Sequence, residues 1–284
     1  MEQTPLTINI RGRLMDFSRP KVMGIINVTP DSFYSQSRTF SQDAIARRLD
    51  GMLAEEADII DIGGYSTRPG ADPVSPEEEY SRLALALETV RKRHPETVVS
   101  VDTFRAEVAR RCVEDWQADI INDIGGGTLD PEMWHTVADL KVPYILMHMR
   151  GTPQTMQSMT DYEDVAADVI SDLAHKAARL HALGVADVII DPGYGFAKTI
   201  DQNYRLLAAI PEFRKMRMPV LVGISHKTMI WRPLGITPEE STLPTVALDA
   251  MALQLGADIV RVHEVLPAVQ TVKMLGLLRR NSGF

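Results

Sequence analysis

Short apolar runs that end in a polar residue recur along the whole chain, and this repeat most limits the possible folds. The clearest is Val188–Asp191, a β-branched run followed by Pro192 and two glycines. Such a run predicts a strand buried on both faces. The others are Val22–Asn27, Ile59–Asp61 leading to Gly63, Val98–Asp102, Ile120–Asp123, Tyr144–His148, Val220–Ser225 and Ile259–His263. About eight such strands are what a (β/α)8 barrel requires.

Segments with helical periodicity separate these runs. The clearest are Asp43–Glu56, Pro76–Arg93, Asp161–Leu183 and Ser241–Leu255. Alternating strands and helices predict parallel strands joined by right-handed crossovers. We therefore expect an α/β fold, a single (β/α)8 TIM-barrel domain over residues 1–284, with the barrel in residues 21–284. Residues 1–20 alternate around Gly12 like a short β-hairpin, and we expect this hairpin to be a lid over one barrel end.

Composition excludes several classes of function. The formal net charge of -8 argues against non-specific nucleic-acid binding, which needs a basic face. No apolar run approaches the roughly 18 residues of a membrane span, and the first ten residues lack the apolar core of a secretory signal. The one cysteine, Cys112, can form no internal disulfide and is expected to be a packed thiol. We expect a cytoplasmic protein with neither nucleic-acid nor membrane partners.

In a parallel barrel the carboxyl ends of all strands open on one face, so the residues there should converge. Asp102, Asn122 and Asp191 can bind a flat heterocycle that carries N–H donors and acceptors. Lys227, Arg261 and His263 can hold a phosphate or diphosphate. Asn27 could add an oxygen ligand to a Mg²⁺ ion already bound by phosphate.

Ordinary structural roles compete with these interpretations. Asp61 and Asp123 are as well explained as caps of the following helices. His148 can be a packed histidine, and Met147 is better explained as core or pocket wall than as a reactive group. The glycine-rich stretch Gly193–Thr199 does not have the spacing of a Walker A phosphate loop.

Taken together, the strand ends resemble the dihydropteroate synthase family over nearly the whole chain from Val22. The matching stretches are Asn27–Phe33, Asp61–Gly70, Ser100–Thr103, Ile121–Asp123, Met147–Pro153, Asp191–Phe196, Ser225–Thr228 and Arg261–His263. The first two stretches, found together, are highly specific for this family. The resemblance implies condensation of 7,8-dihydropterin-6-ylmethyl diphosphate with p-aminobenzoate, giving 7,8-dihydropteroate and diphosphate for folate synthesis. It further implies a Mg²⁺ cofactor, a homodimer and sensitivity to sulfonamides.

The resemblance also implies a role for each matching residue. The pterin-binding residues would be Asp102, Asn122, Ile124, Met147, Asp191, Gly195, Phe196 and Lys227. The diphosphate and aminobenzoate residues would be Asn27, Asp31, Phe33, Thr67, Arg68, Pro69, Phe196, Thr228, Arg261 and His263, with Asn27 also on the metal. Among these, the catalytic residues would be Asp102, Asp191, Lys227, Arg261 and His263.

Two of the chain's departures from the family pattern concern the second substrate. His226 stands where the family usually has arginine, and Thr228 stands where it usually has serine. An arginine is always charged, whereas a histidine is mostly neutral near pH 7, so we expect weaker p-aminobenzoate binding. Three other activities compete with synthase activity: a pterin-binding methyltransferase domain, a catalytically weak pterin-binding paralogue, and an aldolase-type barrel with Lys227 as Schiff-base lysine.

Overall fold

The fold is described from a computed structural model, over residues 5–28, 38–65 and 74–282. Its strands are β1 Thr7–Ile10, β2 Arg13–Asp16, β3 Lys21–Asn27, β4 Ile59–Gly63, β5 Val99–Asp102, β6 Ile120–Asp123, β7 Tyr144–Met147, β8 Val188–Asp191, β9 Leu221–Val222 and β10 Ile259–Val262. Its α-helices are α1 Arg38–Ala54, α2 Pro76–Arg93, α3 Ala106–Trp116, α4 Met133–Leu140, α5 Val165–Ala182, α6 Ile200–Ala208, α7 Ile210–Phe213, α8 Thr228–Leu234, α9 Thr242–Leu255 and α10 Val265–Ser282. Short 3₁₀ turns lie at Met156–Ser158, Arg214–Met216 and Glu239–Ser241.

Strands β3 to β10 form one parallel sheet of eight strands in the order β8-β7-β6-β5-β4-β3-β10-β9. A parallel bridge from Ile190 to Val220 joins its two ends, so the sheet closes into a barrel. This closure confirms the predicted TIM barrel, with its helices around the strands.

The side chains of each barrel strand alternate between two apolar layers, as the two-residue repeat of a strand requires. Outward residues pack beneath the helices in one large cluster that includes Ile60, Val101 and Ile121. Inward residues at the strand starts form a second cluster with Ile59, Ile120, Ile145, Ile189, Leu221 and Ile259. The amino end of the barrel interior is therefore filled with aliphatic side chains.

The predicted N-terminal hairpin is confirmed as β1 and β2. Its two turn residues, Arg11 and Gly12, both have positive φ, at 50° and 82°, as a tight hairpin turn requires. Ile8, Ile10 and Phe17 pack onto the inward aliphatic cluster, so the hairpin covers the amino end of the barrel. The carboxyl ends of the strands, at the opposite end, hold the polar side chains.

Element boundaries differ from the predictions where side chains or turns intervene. The long helix begins at Val165 rather than Asp161, because the Asp164 carboxylate accepts hydrogen bonds from the Ala166 and Ala167 amides at 3.0 and 3.1 Å. Strand β9 is shorter than predicted, since the Lys227 amide donates to the Ile224 carbonyl at 3.0 Å and turns the chain away. Helix α2 has the predicted bounds, with the Ser75 hydroxyl as its N-cap.

Candidate active site

A cavity of about 1590 Å³ opens at the carboxyl ends of the barrel strands. The residues predicted from the sequence that line it are Asn27, Asp102, Asn122, Ile124, Met147, Asp191, Gly195, Phe196, Lys227, Thr228, Arg261 and His263. The fold thus brings together side chains that are spread over most of the chain.

The strand alternation explains why these side chains converge. Ile59, Ile120, Ile189 and Ile259 point inward at the strand starts, and each is followed two residues later by a polar residue. These polar residues are Asp61, Asn122, Asp191 and Arg261. Residues two apart on a strand share a face, so the four polar side chains lie in the barrel above the aliphatic layer.

Arg261 forms ion pairs with two carboxylates at the base of the cavity. Its Nη2 atom lies 2.6 Å from Asp61 Oδ2 and 2.8 Å from Asp102 Oδ2. Burial lowers the pKa of the guanidinium, but Asp61 and Asp102 more than offset this and raise the pKa of Arg261 above its usual value. Burial raises the pKa of Asp102 to about 7, with Arg261 opposing and the Asp61 charge adding to the rise. Asp102 can therefore change its charge near neutral pH.

Asp191 lies across the cavity, at the end of β8. Its Oδ1 accepts a hydrogen bond from the Gly193 amide at 2.7 Å. Burial raises the pKa of Asp191, and nearby Lys227 opposes the shift. Gly193 has φ +73°, and a Cβ on it would lie 2.0 Å from the His148 carbonyl oxygen. Only glycine therefore allows this close approach of the two strand-end loops.

Lys227 connects the polar and apolar parts of the cavity. Its ammonium donates a hydrogen bond to the Tyr194 carbonyl and lies 4.8 Å from the centre of the Phe196 ring. Burial lowers the pKa of Lys227 to about 8, and Asp191 opposes the shift. Phe196 packs with Ile124 and Met147 in a separate apolar cluster. This cluster gives the cavity an apolar wall suited to a flat ring.

His226 and His263 lie side by side at the other edge of the cavity, with ring centres 5.3 Å apart. His263 Nδ1 lies 2.9 Å from the Ser225 hydroxyl. His226 Nδ1 lies 2.6 Å from the Pro238 carbonyl, and its Nε2 lies 2.8 Å from Glu264. Both ring nitrogens of His226 are therefore bonded to the protein.

Lys198 is a buried lysine that the sequence analysis did not single out. Its ammonium lies 3.0 Å from His148 Nδ1 and donates to the carbonyls of Gly193 and Phe196 at 2.9 and 3.0 Å. Burial lowers the pKa of Lys198 to about 7 and that of His148 to about 2. His148 is therefore a packed neutral histidine, and Lys198 fastens the loop that follows Asp191.

The chain resembles known proteins over almost its full length. The sequence profile of the pterin-binding enzyme family matches residues 23–263. A dihydropteroate synthase of Synechocystis is 42% identical over 92% of this chain and 91% of its own length. The Escherichia coli dihydropteroate synthase is 40% identical over 93% and 94%.

The chain belongs to the dihydropteroate synthase family. It is therefore an enzyme of the transferase class. Two solved structures of this family superpose with a TM-score of 0.89 at 36% identity and cover 97% of this chain. One is a Yersinia pestis dihydropteroate synthase in complex with a sulfonamide drug, covered over 100% of its length. The other is the Xanthomonas albilineans enzyme with 4-aminobenzoic acid, covered over 99%.

Two aspartates that the sequence analysis left open now have distinct environments. The cap hypothesis is wrong for Asp61, whose carboxylate bonds Arg261 and Asn122. Asp123 instead accepts hydrogen bonds from the amides of Gly125 and Gly127, at 2.7 and 2.8 Å, and serves its own loop. Asp61 lies two residues after the inward-facing Ile59 and shares its face, whereas Asp123 lies three residues after the inward-facing Ile120 and does not. This spacing is the signal that separates the two aspartates.

Part of the family resemblance falls outside the described residues. The loop residues concerned are Asp31, Phe33, Thr67, Arg68 and Pro69. Their assignments stay predictions. Tyr65, which precedes the second of these stretches, lines the cavity and packs edge-on against Phe104 with ring centres 5.2 Å apart. It is a further residue of this site that the sequence analysis did not identify.

Proposed function

We propose that this cavity joins 7,8-dihydropterin-6-ylmethyl diphosphate to p-aminobenzoate, giving 7,8-dihydropteroate and diphosphate. One observation carries the proposal: hydrogen-bonding groups for a heterocycle and hydrogen-bond donors for a diphosphate line one cavity. Asp102, Asn122 and Asp191 supply the first group, and Arg261 with His263 supplies the second. A pterin bound edge-on to the first group would have its ring against the apolar wall.

The proposed chemistry is a substitution at the methylene carbon of the pterin. Its bond to the bridging oxygen breaks, the electron pair leaves with diphosphate, and the amine nitrogen forms the new C–N bond before losing a proton to solvent. Arg261 and His263 would stabilise the negative charge on the departing diphosphate. Asp102 and Asp191 would add negative potential beside the cationic methylene. The enzyme contributes orientation and electrostatics, without a covalent intermediate.

Mg²⁺ fits this site as an ion that arrives with the diphosphate. Asn27 lines the cavity. Its Oδ1 lies close beside Gly63, where an added Cβ would be only 3.4 Å from it. No cluster of three histidine, cysteine or acidic side chains that could hold a metal occurs within residues 5–28, 38–65 and 74–282. A lone amide oxygen suits Mg²⁺ that is otherwise bound by phosphate and water. When bound, the ion would neutralise charge on the leaving diphosphate.

Assay of the purified protein with Mg²⁺ tests the proposed reaction. Diphosphate release and pteroate formation should both require p-aminobenzoate. Pterin diphosphate binding without any pteroate would favour the weak paralogue and contradict the proposal. Borohydride trapping at Lys227 would favour the aldolase-type alternative. Transfer of a methyl group without diphosphate release would favour the methyltransferase alternative.

We also propose that sulfonamides compete with p-aminobenzoate here, as their shared shape with the amine substrate suggests. Competitive inhibition that raises the KM for p-aminobenzoate without lowering kcat is the expected result. Loss of kcat alone would contradict this part of the proposal. The drug-bound relative from Yersinia pestis supports it.

A homodimer is part of the same proposal. Exposed apolar side chains support it: Leu243 and Met251 on α9 are 80% and 59% exposed, and Met274 and Leu278 on α10 are 65% and 57% exposed. Large exposed apolar patches mark interaction surfaces. A monomer in sedimentation at micromolar concentration would contradict the dimer.

The cytoplasm is the proposed location. The buried Cys112 thiol, whose pKa burial raises, suits a reducing compartment. Among the described helices, none combines the length and apolar character of a membrane span. Fractionation that recovered the protein outside the cytoplasm would contradict this location.

A further inference from the structure

Asp61 is a fully buried carboxylate directly beneath the cavity. It has 0% exposure and does not line the cavity, so it is out of reach of a bound ligand. On the neighbouring strand β5 it is paired with Ser100, which precedes Asp102 by two residues and therefore lies deeper in the barrel. The Oδ1 atom of Asp61 has no hydrogen-bond partner among the described residues, so the contacts of Oδ2 alone offset the cost of burying this carboxylate.

The bonds of Asp61 join two side chains to which the proposed function gives different tasks. Its Oδ2 accepts a hydrogen bond from Arg261 Nε at 2.7 Å, and Arg261 Nη2 lies 2.6 Å from the same oxygen. The same oxygen accepts from Asn122 Nδ2 at 3.2 Å. Arg261 comes from β10 and Asn122 from β6, so one oxygen connects two strands that are not neighbours in the sheet.

The contact with Asp61 fixes which end of the Asn122 amide is available to a ligand. An ionised carboxylate only accepts hydrogen bonds, so the amide nitrogen of Asn122 must face it. The carbonyl oxygen is then left to accept from an N–H donor of a heterocycle. In the same way, two contacts to one oxygen restrict the rotation of the Arg261 guanidinium.

We propose that Asp61 is a positioning residue that orients Asn122 for the pterin and Arg261 for the diphosphate. This inference rests on the proposed function. Without Asp61, Arg261 keeps only its contact with Asp102, and Asn122 is free to rotate its amide. Both halves of the substrate should then bind less tightly, although Asp61 touches neither.

The test uses Asp61→Asn in the full-length protein, with calorimetric binding of two probes. The probes are 6-hydroxymethyl-7,8-dihydropterin, which lacks the diphosphate, and inorganic diphosphate with Mg²⁺. Each should bind roughly tenfold more weakly, the effect of one lost charge-assisted hydrogen bond. The matched control is Asp258→Asn, which removes a 5% exposed carboxylate that pairs with Arg214 at 3.1 Å near the opposite barrel end. The control should lower the melting temperature but leave both dissociation constants within about twofold.

A double variant separates positioning from general loosening of the structure. If Asp61 acts through Asn122, then Asp61→Asn combined with Asn122→Ala should bind the pterin probe no more weakly than Asn122→Ala alone. Additive losses in the double variant, or unchanged affinity in Asp61→Asn, would overturn the inference. Losses in Asp258→Asn as large as in Asp61→Asn would overturn it too.

If Asp61→Asn alone does not fold, Asp61→Asn with Arg261→Gln removes both charges and leaves neither buried alone. Adding Asn122→Ala to this pair should cost no further pterin affinity, because Asn122 has already lost its carboxylate partner. A further loss of tenfold or more would overturn the inference. A wild-type protein that binds neither probe would overturn the proposed function and this inference together.

Discussion

Replacing Lys198 with methionine removes the ammonium that fastens the loop after Asp191. Three acceptors lose their donor: His148 Nδ1, the Gly193 carbonyl and the Phe196 carbonyl. Each buried acceptor left unsatisfied costs about 1 kcal/mol, so we expect a loss of about 3 kcal/mol at pH 7. In a chain of this size, this lowers the melting temperature by roughly 5 °C. Because the loop carries Gly195 and Phe196, pterin affinity should also fall about tenfold.

The loss should depend on pH in a specific direction. The folded pKa of Lys198 is lowered to about 7 from an ordinary value of 10.5. Between these two values the unfolded chain binds more protons than the folded one, so wild-type stability rises with pH. Methionine lacks this contribution. The difference between wild type and Lys198→Met should therefore grow above pH 7, by up to about 1.4 kcal/mol per pH unit.

Urea unfolding at pH 7.0 and 8.5 measures this difference for both proteins. The control is Lys215→Met, at a lysine that is 72% exposed and paired with Glu212, and it should change stability by less than about 0.5 kcal/mol. A deficit of Lys198→Met that is constant or shrinks between the two pH values would refute the reasoning. So would a deficit no larger than that of the control.

Three further predictions concern the cavity. Asp191→Asn should weaken pterin binding at least tenfold yet leave inorganic diphosphate binding within about twofold, as calorimetry with each ligand would show; equal losses would contradict its assignment. His226→Arg should lower the KM for p-aminobenzoate severalfold, because a guanidinium has five N–H donors, whereas both ring nitrogens of His226 are already bonded to Pro238 and Glu264; steady-state kinetics that give an unchanged KM would rule this out. Binding of the pterin diphosphate should rise as Asp102 ionises near pH 7 and fall as Lys227 loses its proton above about pH 8; Asp102→Asn should abolish the acid limb, and a flat profile in the wild type would count against both roles.

The barrel and most of its polar residues could be predicted from local pattern. The repeat of short apolar runs and amphipathic helices identifies the strands, because burial on both faces needs continuous apolar sequence. Placement of the polar residues follows from the rule that parallel strands open on one face. Asp102, Asn122 and Asp191 therefore converge as expected.

Side-chain partners could not be predicted in the same way. Asp61 and Arg261 are 200 residues apart along the chain and meet only because the sheet closes into a barrel. The capping tendency of aspartate is local and equal at Asp61 and Asp123, so sequence alone left both open. Their spacing from the inward-facing isoleucines separates them, but which face of each strand points inward is known only once the sheet has formed.

The order of residues along this chain is thus enough to specify a closed parallel barrel and the end at which its chemistry lies. It does so because hydrophobic periodicity is a local property that each segment expresses separately. The ion pairs of Arg261 and the hydrogen bonds of Lys198 and His226 depend on distant segments. Those contacts form only when barrel closure brings the distant segments together, so the folded state alone decided them.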